Sequence, residues 1–169
     1  MTSNDVALIK KDRLRYSKNK LSSNLTLLAI VLNALYFVSI YKSDVGSYYY
    51  SYMMGISVVY NLLFMLIAFL SSEGVKSYKM GYSFVLIELG QFQILRIFIL
   101  PLDAVNTTIT LSDVEQSIMG GDQFMRIVIY LVGSGILCIV AGIVAYHKTR
   151  TLEMYQAELN LKARGASHE

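Results

Sequence analysis

Four long apolar blocks, at about residues 23–41, 50–70, 80–100 and 124–146, alternate along the chain with short polar stretches. At roughly 1.5 Å of rise per residue, helices of this length cover the ~30 Å hydrocarbon layer of a bilayer. The pattern predicts an all-α integral membrane protein: one domain over residues 1–169, built from four transmembrane helices. Ser22, Ser23 and Asn24 are suited to cap the first helix. Asp44 and Gly46 mark a turn within Lys42–Tyr49, and Ser71–Lys79 reads as a second short loop. Pro101 stops the third block, because proline disfavours helix in the residue before it.

The third connection, Leu102–Gln123, is longer. Ser112 followed by Glu115 resembles a capping box, which predicts a short surface helix over Asp113–Met119 that ends at Gly120-Gly121. Beyond the fourth block, residues 147–169 are rich in helix formers. Leu152, Tyr155 and Leu159 make an apolar stripe at i, i+3, i+7, so the fourth helix is expected to continue as a cytoplasmic extension. That stripe has two candidate uses, packing on the protein's own loops or docking on another protein. Short first and second loops force neighbouring helices to run antiparallel.

Charge sets the direction. The tail 1–22 carries six Lys/Arg, the second loop two (Lys76, Lys79) and the C-terminal stretch four (Lys148, Arg150, Lys162, Arg164). The first and third loops carry only Lys42 and Arg126, with Asp44, Asp103, Asp113, Glu115 and Asp122. The positive-inside rule then puts both termini in the cytoplasm, as in a multi-pass protein of the plasma membrane. Tyr41, Tyr48, Tyr49, Tyr50 and Tyr52 fall at the outer interface, and Tyr78, Tyr82 and Tyr146 at the inner one, as an aromatic belt does. Val6, Ile9 and Leu14 among the basic residues of the tail fit either a solvated topology signal or a short helix lying on an anionic membrane surface.

Composition agrees with this. The chain is 54% hydrophobic, with only 16% charged residues. The single cysteine, Cys138, forbids an intramolecular disulfide and lies in an apolar block, where it reads as a small packing residue. His147 and His168 lie beyond the last block, which excludes haem held by paired intramembrane histidines. No metal-ligand cluster, phosphate loop or nucleophile–base set can be assembled. The expectation is a non-enzymatic protein with no cofactor and no nucleic-acid partner.

The third block is the exception among the four. It holds Glu88, Gln91, Gln93 and Arg96 within nine residues, whereas the others carry no charge deep inside. Asn33 and Asn61 lie near the middles of the first and second blocks, at the depth of Gln91. Together these six residues are candidates for an intramembrane polar network or a partner interface, with Asn33, Asn61, Gln91 and Glu88 as the natural internal set. Arg96 would then snorkel outward or meet Asp44 or Asp103. A charge at mid-span costs roughly 2.5–3.5 kcal/mol on insertion scales, so this helix is expected to face protein or water.

In the fourth block Gly133, Ser134, Gly135, Cys138 and Gly142 form a small-residue stripe of the kind that lets helices approach closely in lipid. The functional expectation is a membrane subunit that assembles with other membrane protein chains, accessory or structural to a transporter or other complex. The alternative is a small oligomeric ion channel or ion-coupled carrier that uses Glu88 and Arg96.

Overall fold

The computed structural model describes residues 9, 12, 17–40, 48–99, 101–106, 108–111, 114–117 and 119–166. The amphipathic reading of the N-terminal tail and the turn at Asp44 and Gly46 fall outside these residues, apart from Ile9. From residue 20 onward the described elements are, in order, α1 (Lys20–Ile40), α2 (Tyr48–Lys76), α3 (Met80–Leu95, continued by a 3₁₀ turn, Arg96–Phe98), α4 (Pro101–Asn106), β1 (Thr108–Leu111), β2 (Val114–Ser117) and α5 (Gly121–Ala166). Three of them, α1, α2 and α5, are long and apolar enough to cross a membrane. These are the marks of a helical membrane protein.

The helices exceed their apolar blocks where polar residues serve another helix. Ser71 and Ser72, which read as loop, are buried within α2. The Ser72 hydroxyl meets that of Ser23 in α1 at 2.8 Å, so the polarity is spent between helices. The helix stops at Lys76 in a Schellman arrangement: the N–H of Tyr78 donates to Val75 O and that of Lys79 to Gly74 O, both at 3.2 Å. Tyr78 takes the left-handed backbone this requires, with φ of 56°.

Two expectations are corrected between α3 and α5. The α-helix of the third block ends at Leu95, ahead of Pro101, and a 3₁₀ turn follows; Pro101 opens α4. Proline suits a first helical position because its missing N–H has no helical acceptor there. The surface helix expected over Asp113–Met119 is instead strand β2, paired antiparallel to β1 with Thr110 opposite Glu115 and Leu111 opposite Val114. A helix of about seven residues barely outlasts its own nucleus, whereas the β-branched run Thr108-Ile109-Thr110 favours a strand.

Helix α5 is unbroken over 46 residues, about 69 Å at helical rise, so it extends well past any single crossing. Leu152 and Tyr155 on that extension are buried against the chain itself, while Met154 and Leu161 stay exposed. Contacts along the helices fix their relative placement. Lys148 Nζ of α5 donates to Asn19 Oδ1 beside the start of α1, at 3.1 Å. Ser134 Oγ donates to Ala29 O at 2.9 Å, and Gln123 Nε2 to Ser39 O at 2.8 Å. The core forms three apolar clusters along the bundle. These centre on Tyr36, Ile127 and Leu131, on Ala29, Phe64 and Cys138, and on Val75, Leu86 and Ala145.

Candidate functional site

Helix α3 buries Ser83, Leu86, Leu89, Gly90 and Gln93, and the 3₁₀ turn adds Arg96. Positions 83, 86, 90 and 93 follow the i, i+3, i+7 recurrence of one helix face. This stripe reaches α5 by backbone approach. A Cβ built on Gly90 would lie 2.6 Å from Gly135 O, and one on Gly142 would lie 2.7 Å from Ser83 O. Gly135 and Gly142 of the small-residue stripe therefore face α3, whereas Ser134 faces α1. Cys138 is fully buried between them with Ala29, Phe64 and Leu89. Gly133 meets only the end of Leu32.

Two polar residues of the buried face, Gln93 and Arg96, make side-chain hydrogen bonds. Gln93 Nε2 donates to Asn33 Oδ1 at 2.5 Å, joining α3 to α1. One turn further, the Arg96 guanidinium turns toward α2. Nη1 donates to Asn61 Oδ1 at 2.6 Å, and Nη2 to Ser57 O at 3.0 Å as well as to Ser57 Oγ. The guanidinium lies over two rings, 4.6 Å from the centroid of Tyr36 and 4.5 Å from that of Tyr60. Because Arg96 only donates, Ser57 Oγ accepts from it, and the same hydroxyl lies 3.3 Å from that of Tyr36, where either oxygen can donate.

Arg96 is 5% exposed. No carboxylate partners it among the described residues; its ligands are two carbonyl-type oxygens, a hydroxyl and two π faces. Several buried polar atoms nearby also lack partners, including Asn33 Nδ2, Asn61 Nδ2, Gln93 Oε1 and the Tyr60 hydroxyl. The site can thus hold a positive charge out of water, and no carboxylate among the described residues cancels it.

Glu88 and Gln91 take no part in this. Both are exposed, on the outward face of α3 with Phe84, Phe92 and Leu95. The internal set expected from the sequence is corrected accordingly. Gln93 takes the role given to Gln91, and Arg96, bound by Asn61, takes the role given to Glu88. Arg96 points inward to Tyr36 and Tyr60 and not outward. Of the residues it was expected to meet, Asp44 and the Asp103 side chain lie outside the described residues.

The residues that sequence reasoning missed are Ser57, Tyr36, Tyr60 and Gly90. A signal for them exists. Asn33 and Tyr36, Ser57 and Tyr60 with Asn61, and Gln93 and Arg96 repeat one i, i+3 spacing in three apolar helices, so each helix carries a polar or aromatic pair on a single face. The chain matches no known protein family, no curated protein and no solved structure.

Proposed function

We propose that this chain is a non-enzymatic subunit of the plasma membrane that assembles with another membrane protein, as an accessory or structural part of a transporter or other complex. The observation that carries the reading is Glu88, exposed in the middle of the outward face of α3 with Gln91 one turn on. Against lipid, a carboxylate at that depth costs roughly 2.5–3.5 kcal/mol. A partner helix that presents a cation or hydrogen-bond donors removes that cost and gains a specific contact. The buried stripe of the same helix is already used within the chain, so the outward face is the part left for a neighbour.

The proposal takes α3 and its 3₁₀ turn as a fourth span, since 16 residues of α-helix and three of 3₁₀ reach about 30 Å. It takes the four spans as antiparallel, with both termini cytoplasmic according to the Lys/Arg distribution. The pairings Ser23–Ser72, Asn61–Arg96 and Ala29–Ser134 support that order. Purification from native membranes in mild detergent tests the reading. A second protein is expected to co-purify in fixed ratio and to be lost in Glu88→Leu. Recovery of this chain as a monomer, or as a homo-oligomer alone, would overturn it; the homo-oligomer would favour an oligomeric channel or carrier with Glu88 at the subunit boundary.

A further inference from the structure

Between α2 and α3 lies a cavity of about 280 Å³ with Arg96, Ser57 and Tyr60 on one wall and Ile56, Leu95 and Ile99 on the others. It shares Ile56 and Tyr60 with a second, wider groove of about 610 Å³ along α2 that is lined by Gly55, Val59 and Leu63. The rest of the lining is apolar and opens toward the exposed faces of α2 and α3, where Ile56, Leu63, Phe92 and Ile99 are at least half uncovered.

We propose that this cavity binds an anionic amphiphile: an acyl chain ending in a carboxylate or phosphate, with its head at Arg96 and its chain along Ile56, Leu95 and Ile99. Three observations converge on that chemistry. Arg96 borders the cavity and is almost wholly buried, and its ligands among the described residues are all neutral, so none of them offsets its positive charge. Tyr60, which lines the same cavity, has a buried hydroxyl with no hydrogen-bond partner among the described residues, a second donor for the oxygens of an anion. A buried charge calls for an opposite charge far more strongly than for another dipole, because its solvation loss is large and long-ranged. The apolar remainder excludes a small free anion as the best fit, since such a ligand would leave Leu95, Ile99 and Ile56 facing nothing. The inference concerns the groove between α2 and α3 and is independent of what covers Glu88.

The chain has no tryptophan, so Phe92→Trp on the edge of the cavity gives a single fluorescent reporter in detergent micelles or nanodiscs. A brominated fatty acid is expected to quench it saturably, with half-saturation at a concentration about tenfold or more below that of its methyl ester. Equal quenching by acid and ester would overturn the proposal. Asn61→Asp in the same background sets a carboxylate against the guanidinium and neutralises it in place; the preference for the acid is expected to vanish. Its persistence there would also overturn the proposal. Arg96→Gln is expected to lose the preference too, and the acid–ester comparison on the unaltered cage decides the matter if that variant does not fold. Competition identifies the source. Displacement by phosphatidylglycerol and not phosphatidylcholine assigns a lipid headgroup, whereas displacement by stearate alone assigns a free fatty acid. Displacement by inorganic phosphate at equal concentration would overturn the amphiphile.

Discussion

The guanidinium of Arg96 and the side-chain oxygen of Asn61 stand 2.6 Å apart, with the Arg96 charge held between the rings of Tyr36 and Tyr60. This contact ties the end of α3 to the middle of α2 and makes Arg96 an internal strut. Arg96→Ala is expected to lower stability by roughly 2–4 kcal/mol, from lost charge-assisted hydrogen bonds and cation–π contact. Arg96→Lys should recover little, because an ammonium cannot reach Asn61 and Ser57 together while stacking on two rings. Unfolding in mixed micelles, followed by tryptophan-free near-UV circular dichroism, measures both.

Tyr60 separates the ring from its hydroxyl. That hydroxyl has no hydrogen-bond partner among the described residues, so Tyr60→Phe is expected to be neutral within about 0.5 kcal/mol when no ligand is present. Tyr60→Leu keeps the bulk and loses the π face, at a cost of roughly 1–2 kcal/mol. Equal losses for the two variants would show that the ring is packing and nothing more. The same unfolding assay reads the difference.

Much of this architecture was open to sequence reasoning, and the reason lies in length. An uninterrupted apolar block has few structural outcomes, so the extents of α1 and α5 followed from block boundaries and helix formers. Facing did not follow. Helices that are apolar all round lack a periodic stripe, so nothing in the string says which side of α3 turns inward, and Glu88 and Gln93 were interchangeable until α1 and α5 were placed. Tyr36 and Tyr60 were hidden for a related reason: inside an apolar block an aromatic reads as filling. The strand pair Thr108–Leu111 and Val114–Ser117 was obscured because Ser112 and Glu115 also satisfy a capping pattern.

The glycines of the α3–α5 contact should differ sharply from one another. Gly90→Ala drives a Cβ to 2.6 Å from Gly135 O, a backbone atom that cannot step aside, and is expected to cost roughly 1–3 kcal/mol. Gly81→Ala meets nothing within 4 Å and should stabilise the helix by about 0.5–1 kcal/mol. Thermal unfolding of the two variants side by side tests the contact. Destabilisation by both to the same degree would mean that α3 does not approach α5 in this register.

At the end of α2, Tyr78 occupies a left-handed position that glycine fills at no steric cost. Among the described residues its hydroxyl makes only a long, exposed contact with Ser17, at 3.5 Å. Tyr78→Gly is therefore expected to raise stability by about 1 kcal/mol. A loss of stability would mean that the ring contributes more than the strain it imposes.

The central claim is that the outward face of α3, with Glu88 and Gln91, meets another polypeptide. A photo-crosslinking residue in place of Gln91, activated in native membranes, asks this directly. Ile129 on the exposed side of α5 serves as the control. The account predicts a discrete protein adduct from position 91 and lipid adducts alone from position 129. Lipid adducts alone from both positions would contradict it.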